Sequence, residues 1–182
     1  MRKLSVKTIV AIAIGAALFF VLGRYVAIPS PVPNTTICIQ YGLLAFMAAV
    51  YGPVAGLLIG FIGHFFIDFS WGWGVWYSWV IASAFFGGAM GLLTRKTALD
   101  EGVFAKKDMV TFVVGTVVAH LLAWAVVAPV LDILIYAEPA NKVFLQGLVS
   151  AASNIVTTLI LGLILCYAYA AAKPKAGSLN KE

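Results

Sequence analysis

His64 and Asp68 lie four residues apart, so a helix would put them on one face. They open the stretch HFFIDFSWGWGVWYSW, which also carries Trp71, Trp73, Trp76 and Trp79. An imidazole beside a carboxylate can relay a proton, hold the polar edge of a ligand, or pair internally. A metal would need a third ligand, and no cysteine or further histidine–carboxylate cluster supplies one, so no metal is expected. A carboxylate facing lipid at a helix centre costs about 2.5–3.5 kcal/mol on insertion scales. The pair is therefore expected to face a polar cavity or each other. The tryptophans admit two readings. Indole rings gather at membrane interfaces, which would suit Trp76 and Trp79. The segment SWGWG alternates tryptophan with glycine and reads as a flexible loop, from which Trp71 and Trp73 could fold over a planar ligand and stack on it.

A second polar set recurs downstream. Gln146, Ser150 and Asn154 repeat every four residues, and Thr157 and Thr158 prolong the stripe. Such a stripe either hydrogen-bonds between helices or walls a cavity; three successive turns of polar side chains favour the wall. His120 and Trp124, again four apart, could close its floor or simply pack. Gln40 and Tyr41 follow the segment AIPSPVPNTT, whose alternating Pro29, Pro31 and Pro33 predict stiff, extended backbone. The candidate substrate-binding set is thus Gln40, Tyr41, His64, Asp68, Trp71, Trp73, Gln146, Ser150 and Asn154.

The chain that must position these residues is 63% hydrophobic and 10% charged, with a mean hydropathy of +1.02. Soluble domains carry about 25% charged residues, so the class is an all-α integral membrane protein. Six apolar segments are expected to form a six-helix transmembrane bundle in a single membrane domain, at residues 8–27, 37–51, 53–68, 76–94, 109–131 and 143–171. Segments two and three are short against the roughly 20 residues a crossing needs. The YGP turn joins them, with Pro53 at a first helical position.

Ten of the twelve Lys and Arg residues fall on one side of this scheme, in both termini and in the loop after segment four. Only Arg24 and Lys142 fall on the other. Both termini are therefore expected in the cytoplasm. The net charge of +5 follows from topology, and no nucleic-acid partner is implied. Cys38 and Cys166 are expected near opposite faces, too far apart to pair. The start, MRKLSVK before an apolar run, reads as a retained first helix rather than a cleaved leader. No internal repeat stands out.

Small residues mark packing faces. Ala13 and Ala17 form A-x-x-x-A, Ala11 and Gly15 a neighbouring pair, and Gly56, Gly60 and Gly63 a stripe on segment three; each lets another helix approach closely. No nucleotide-binding loop and no nucleophile–base pair is present, and no cofactor is expected. Uphill transport would draw its energy from another chain. Three functional classes remain open: a solute-binding transport subunit, a small intramembrane enzyme using His64 and Asp68 as acid and base, and a scaffold without a ligand.

The segments AIGAA, AIPSPVPNTTICIQYG, YGPVAGLLIGFIGHFFID and WYSWVIAS, with the size and six-segment plan, resemble the substrate-binding S components of energy-coupling factor (ECF) vitamin transporters. The likeness is to the subgroup labelled hydroxymethylpyrimidine or pyridoxine transporters, with other vitamins such as cobalamin in the wider family. The resemblance implies a multi-pass plasma-membrane protein, not an enzyme, that takes a vitamin from outside. It implies docking through helix 1 on a membrane T component bearing two cytoplasmic ATPases, followed by an ATP-driven toppling that frees the ligand inside. On this likeness Ala13 and Ala17 match the docking motif. The ligand residues above come from the reading of the residues, not from a family motif.

Overall fold

The computed structural model describes residues 4–72 and 74–173. Trp73, and the expected topological charges Arg2, Lys3, Lys175 and Lys181, lie outside the described residues. Among the described residues the chain forms six apolar helices: α1 (Val6–Tyr25), α2 (Gln40–Tyr51), α3 (Pro53–Trp71), α4 (Tyr77–Leu93), α5 (Lys106–Tyr136) and α6 (Ala140–Ala172). Four of them, α1, α3, α5 and α6, are long and apolar enough to cross a membrane.

The helix ends follow local chemistry. Ser5, in an extended conformation, accepts the Thr8 amide at 3.1 Å and caps α1, satisfying one of the orphan N–H groups of a first turn. Gly52 has φ +88° between α2 and α3, a conformation glycine adopts without strain, and Pro53 then starts α3. The Asp108 carboxylate accepts the Ala105 amide at 3.0 Å where α5 begins.

Three helices differ from expectation. Segment three is not short: α3 runs to Trp71, where Gly72 in the left-handed region caps it. Trp71 is therefore helical, not part of a loop. The short helices are α2 and α4, with 12 and 17 residues, or roughly 18 and 26 Å at 1.5 Å per residue, against a hydrocarbon core of about 30 Å. Segment five does not stop at 131. It continues to Tyr136 through a π-turn at Ala123–Val127. Pro129 has no N–H to donate and its ring crowds the preceding turn, which accounts for a break in the α-ladder there.

The proline segment is not a simple extended strut. Ile28–Pro29 and Thr36–Ile37 pair as a small antiparallel ribbon. The Ser30 amide donates to the Thr35 carbonyl at 3.0 Å. By strand alternation the nitrogen of Pro29 then falls on the unpaired edge, where a missing donor costs nothing. Asn34, at φ 57°, supplies the reversal.

Contacts define two ends. Lys7 lies over Tyr51, Gly91 meets Pro53, and Gly102 meets Lys173 at one end. Arg24, Trp71, Trp76, Asp132 and Gln146 gather at the other.

Glycine stripes tie α3 to its neighbours. A Cβ on Gly56 would collide with the Gly87 carbonyl oxygen of α4, and one on Gly60 with that of Ser83. Gly63 receives the Phe19 ring of α1, and Gly15 of α1 receives Ile59. The Ala11 and Gly15 face is thus buried inside the bundle, whereas Ala13 and Ala17 are exposed on its outside.

Gly56→Ala should lower the thermal unfolding midpoint in detergent, since overpacking of this kind costs about 1–3 kcal/mol. Gly88→Ala is the control. Its Cβ would meet Leu57 Cβ at an ordinary 3.6 Å, and its midpoint should stay level or rise.

Candidate functional site

At the end that carries Arg24 and Asp132, the helices enclose a cavity of about 620 Å³. Gln40, Tyr41, His64, Asp68, Trp71, Gln146, Ser150 and Asn154 all line it, as do Trp76, Trp79, Trp124 and Asp132. Every proposed contact residue among the described residues is therefore at one cavity.

The wall from α6 works through its fourfold spacing. Gln146, Ser150 and Asn154 are all buried on one face. Gln146 Nε2 donates to the Pro33 carbonyl at 2.9 Å, and Thr157 Oγ1 to the Cys38 carbonyl at 2.6 Å. These bonds dock the proline ribbon on α6 and make it a side of the cavity. Burial raises the pKa of the Cys38 thiol, which therefore stays neutral at this wall. Cys38 and Cys166 are both free.

The opposite wall is a hydrogen-bonded chain across three helices. His64 Nε2 lies 3.5 Å from Asp68 Oδ1. His64 Nδ1 is 2.5 Å from Ser83 Oγ, which is 2.9 Å from the Tyr41 hydroxyl. The order carboxylate, imidazole, serine resembles that of a hydrolytic triad. Ser83, however, is fully buried and its hydroxyl is shared with Tyr41, so this serine does not face the cavity as a nucleophile.

The floor is aromatic. Trp124 stacks against Trp79 at 5.3 Å between ring centres and 28° between planes. Its Nε1–H donates to His120 Nδ1 at 2.9 Å, and His120 Nε2 meets Thr158 Oγ1 at 2.9 Å. Since Nδ1 accepts, the imidazole is neutral and donates from Nε2. His120 thus stands behind the floor and fixes its tilt.

Asp132 is the residue that sequence reasoning missed. It is buried, and it accepts Trp76 Nε1 at 2.7 Å, Trp79 Nε1 at 2.8 Å and the Ser78 hydroxyl. Trp76 also stacks on Tyr136 at 4.2 Å, and its amide donates to Asp68 at 2.9 Å. Trp76 and Trp79 thus line the cavity with their indole nitrogens anchored on Asp132. The test applied to Asp68, an acid alone in an apolar run, would have flagged Asp132 as well. At the mouth the Arg24 guanidinium sits 3.8 Å above the Trp71 ring, and Lys142 Nζ donates to Glu138 Oε2 at 2.7 Å.

Residues 3–171 match the family described as "ECF-type riboflavin transporter, S component". The chain belongs to the S-component family of ECF-type transporters. Such proteins are the substrate-binding parts of transporters, not enzymes. The UPF0397 protein of Staphylococcus aureus strain JH9 is 49% identical over 181 residues, covering 100% of this chain and 98% of that one. The counterpart in strain Newman is 50% identical over the same span. Among solved structures, a biotin S component of an ECF-type ABC transporter aligns with a TM-score of 0.60 over 88% of this chain and 89% of that one. At 15% identity this likeness speaks for the fold of this S component alone.

Asp132→Leu should destabilise the S component strongly, because each buried donor left unpaired costs about 1–3 kcal/mol. Asp132→Asn keeps one acceptor and should melt between that variant and the wild type. Equal midpoints for all three proteins would show that the two indoles do not depend on this carboxylate.

Proposed function

We propose that this S component captures a small ring-containing vitamin or vitamin precursor from outside the plasma membrane, in the cavity described above. The observation that carries the reading is the convergence of Gln40, Tyr41, His64, Asp68, Trp71, Gln146, Ser150 and Asn154 on one space. A volume of about 620 Å³ lies within the usual range of ligand pockets, roughly 300–1,000 Å³. Aromatic walls with a few polar groups suit a flat ring with polar edges. Hydroxymethylpyrimidine and pyridoxine remain the leading candidates from the resemblance. Riboflavin is the second reading, favoured by the family description matched over residues 3–171. The volume argues against a corrinoid such as cobalamin.

In this reading the six helices make six crossings of one membrane domain, with both termini in the cytoplasm. Lys7 and Lys173 share the end opposite the cavity, which supports placing that end inside and the cavity outside. The partners are a membrane T component and two cytoplasmic ATPases. The exposed face of Ala13 and Ala17 is the T-component contact, flanked by exposed Val10, Ile14 and Val21.

Two measurements test the proposal. Hydroxymethylpyrimidine, pyridoxine and riboflavin are each titrated into detergent-solubilised protein, with tryptophan emission as the readout. Trp71→Ala should weaken the binding found. A stacking contact is worth about 1–3 kcal/mol by analogy with bases on aromatic side chains, or roughly 5- to 150-fold in Kd. Unaltered affinity would remove Trp71 from the contact set. Separately, the double variant Ala13→Trp, Ala17→Trp should lose copurification with the T component while keeping ligand affinity. Bulk at these positions holds helix backbones apart, and retained assembly would move the docking face elsewhere.

A further inference from the structure

Two acceptors at the cavity are left without partners among the described residues. Gln40 and Asn154 are only 3% and 2% exposed, yet Gln40 Oε1 and Asn154 Oδ1 are buried oxygens without a hydrogen-bond partner among the described residues. Both residues line the cavity, one from α2 and one from α6. Buried acceptors are satisfied in nearly all folded proteins, so each unsatisfied one calls for a reason.

The indole donors and the Gln146 amide along the same walls are already engaged. The indole N–H groups of Trp76 and Trp79 go to Asp132, and that of Trp124 to His120. The amide nitrogen of Gln146 donates to Pro33. Both cationic side chains of the lining sit at the mouth. Lys142 is exposed and paired with Glu138, and Arg24 lies over Trp71. The acids Asp68 and Asp132 are buried beyond them.

Resting on the reading that the cavity captures a solute, we propose that the solute is a neutral or cationic heteroaromatic ring presenting hydrogen-bond donors, and that anionic forms bearing a carboxylate or phosphate are rejected. A ring N–H, exocyclic amine or hydroxyl would meet the Gln40 and Asn154 oxygens. An anion would enter a space whose buried charges are carboxylates and whose cations lie at the rim. Buried charge without a partner is strongly disfavoured, so selection operates by repulsion as well as by attraction.

The test titrates the full-length, detergent-solubilised protein by calorimetry with hydroxymethylpyrimidine, pyridoxine and riboflavin. Their phosphate esters and biotin are titrated in parallel. Small molecules released when the purified protein is denatured are identified by mass spectrometry. The proposal expects an unphosphorylated ring to bind and its ester to bind more than about tenfold more weakly, a gap of about 1.4 kcal/mol. Asn154→Asp, which keeps only acceptors, should hold affinity within about threefold, whereas Asn154→Leu should lose roughly 5- to 150-fold. Equal or tighter binding of an ester or of biotin, or release of an anionic compound, would overturn the proposal while leaving solute capture intact. A released neutral or cationic donor-bearing ring would support it even if the panel fails. No binding and no released compound would overturn solute capture, and the inference with it. The wild-type comparison of rings with esters decides the matter if the Asn154 variants do not fold.

Discussion

An ionisable group inside an apolar bundle must be given partners, and the cavity end of this protein is organised around two that are. Unpaired, a buried carboxylate is costly enough to drive refolding or neutralisation. Asp132 collects the indoles of Trp76 and Trp79 and the Ser78 hydroxyl, from the residue that precedes α4 and from its first turn. Asp68 collects the Trp76 amide just before that helix. The start of α4 has no side-chain cap of its own. Its amides at Trp76 and Tyr77 are instead met by Asp68 of α3 and by the Tyr136 hydroxyl of α5. One helix start thus joins three helices, and the orphan donors of a first turn become the means by which they are held in register. Charge also complements the positive end of the α4 dipole there.

The same constraint explains why the aromatic rings are ordered. Trp79 is held at its nitrogen by Asp132 and on its face by Trp124. Trp124 in turn is fixed by His120, and its carbonyl lies so close to Gly147 that a Cβ there would clash. The π-turn around Trp124 allows this approach between α5 and α6. Rigid aromatic surfaces lose little entropy when a flat ring is laid on them, which favours affinity by preorganisation.

Legibility in the sequence followed the range of the interaction. The face of Gln146, Ser150 and Asn154 could be read because helical spacing alone brings these residues together. His64 and Asp68 could be read for the same reason. Arg24 over Trp71 could not, since 46 intervening residues separate them in the chain and no periodicity links them. Ser83 carries no signal among its small neighbours, and its role comes from where α4 crosses α3. Asp132 was obscured because its acid and the nearby Pro129 resemble the start of a connection, whereas the helix persists once that charge is satisfied internally. The pairing within the proline ribbon was not legible, because alternating prolines report local stiffness and say nothing of the strand that pairs with them. The small-residue stripes were ambiguous for another reason. Spacing shows that a backbone can come close, but not whether the partner lies within the bundle or outside it.

Helix α1 presents both answers to that last ambiguity on opposite faces. Inward, Gly15 takes Ile59, and Phe19 seats on Gly63, one residue before His64. Outward, Ala13 and Ala17 face away from the bundle. Packing at this closeness transmits strain from one helix to the next, which favours α1 and α3 moving as one unit. In the docking arrangement proposed above, a partner that tilts α1 would therefore carry His64 and Asp68 with it. Arg24, near the end of α1, lies on the Trp71 ring at the end of α3, so the mouth of the cavity belongs to the same pair of helices. The α6 wall is joined to this pair by the proline ribbon, through the Gln146 and Thr157 bonds, and by α2, whose Gly42 packs against Leu161 and Gly162. Glycines bring α3 backbone to backbone with α4 at Gly56 and Gly60, and seat Phe19 of α1 on Gly63. A cavity that opens while α2 and α6 stay packed would have to part at the two ribbon bonds, since α3 is held on α1 and α4 through its glycines.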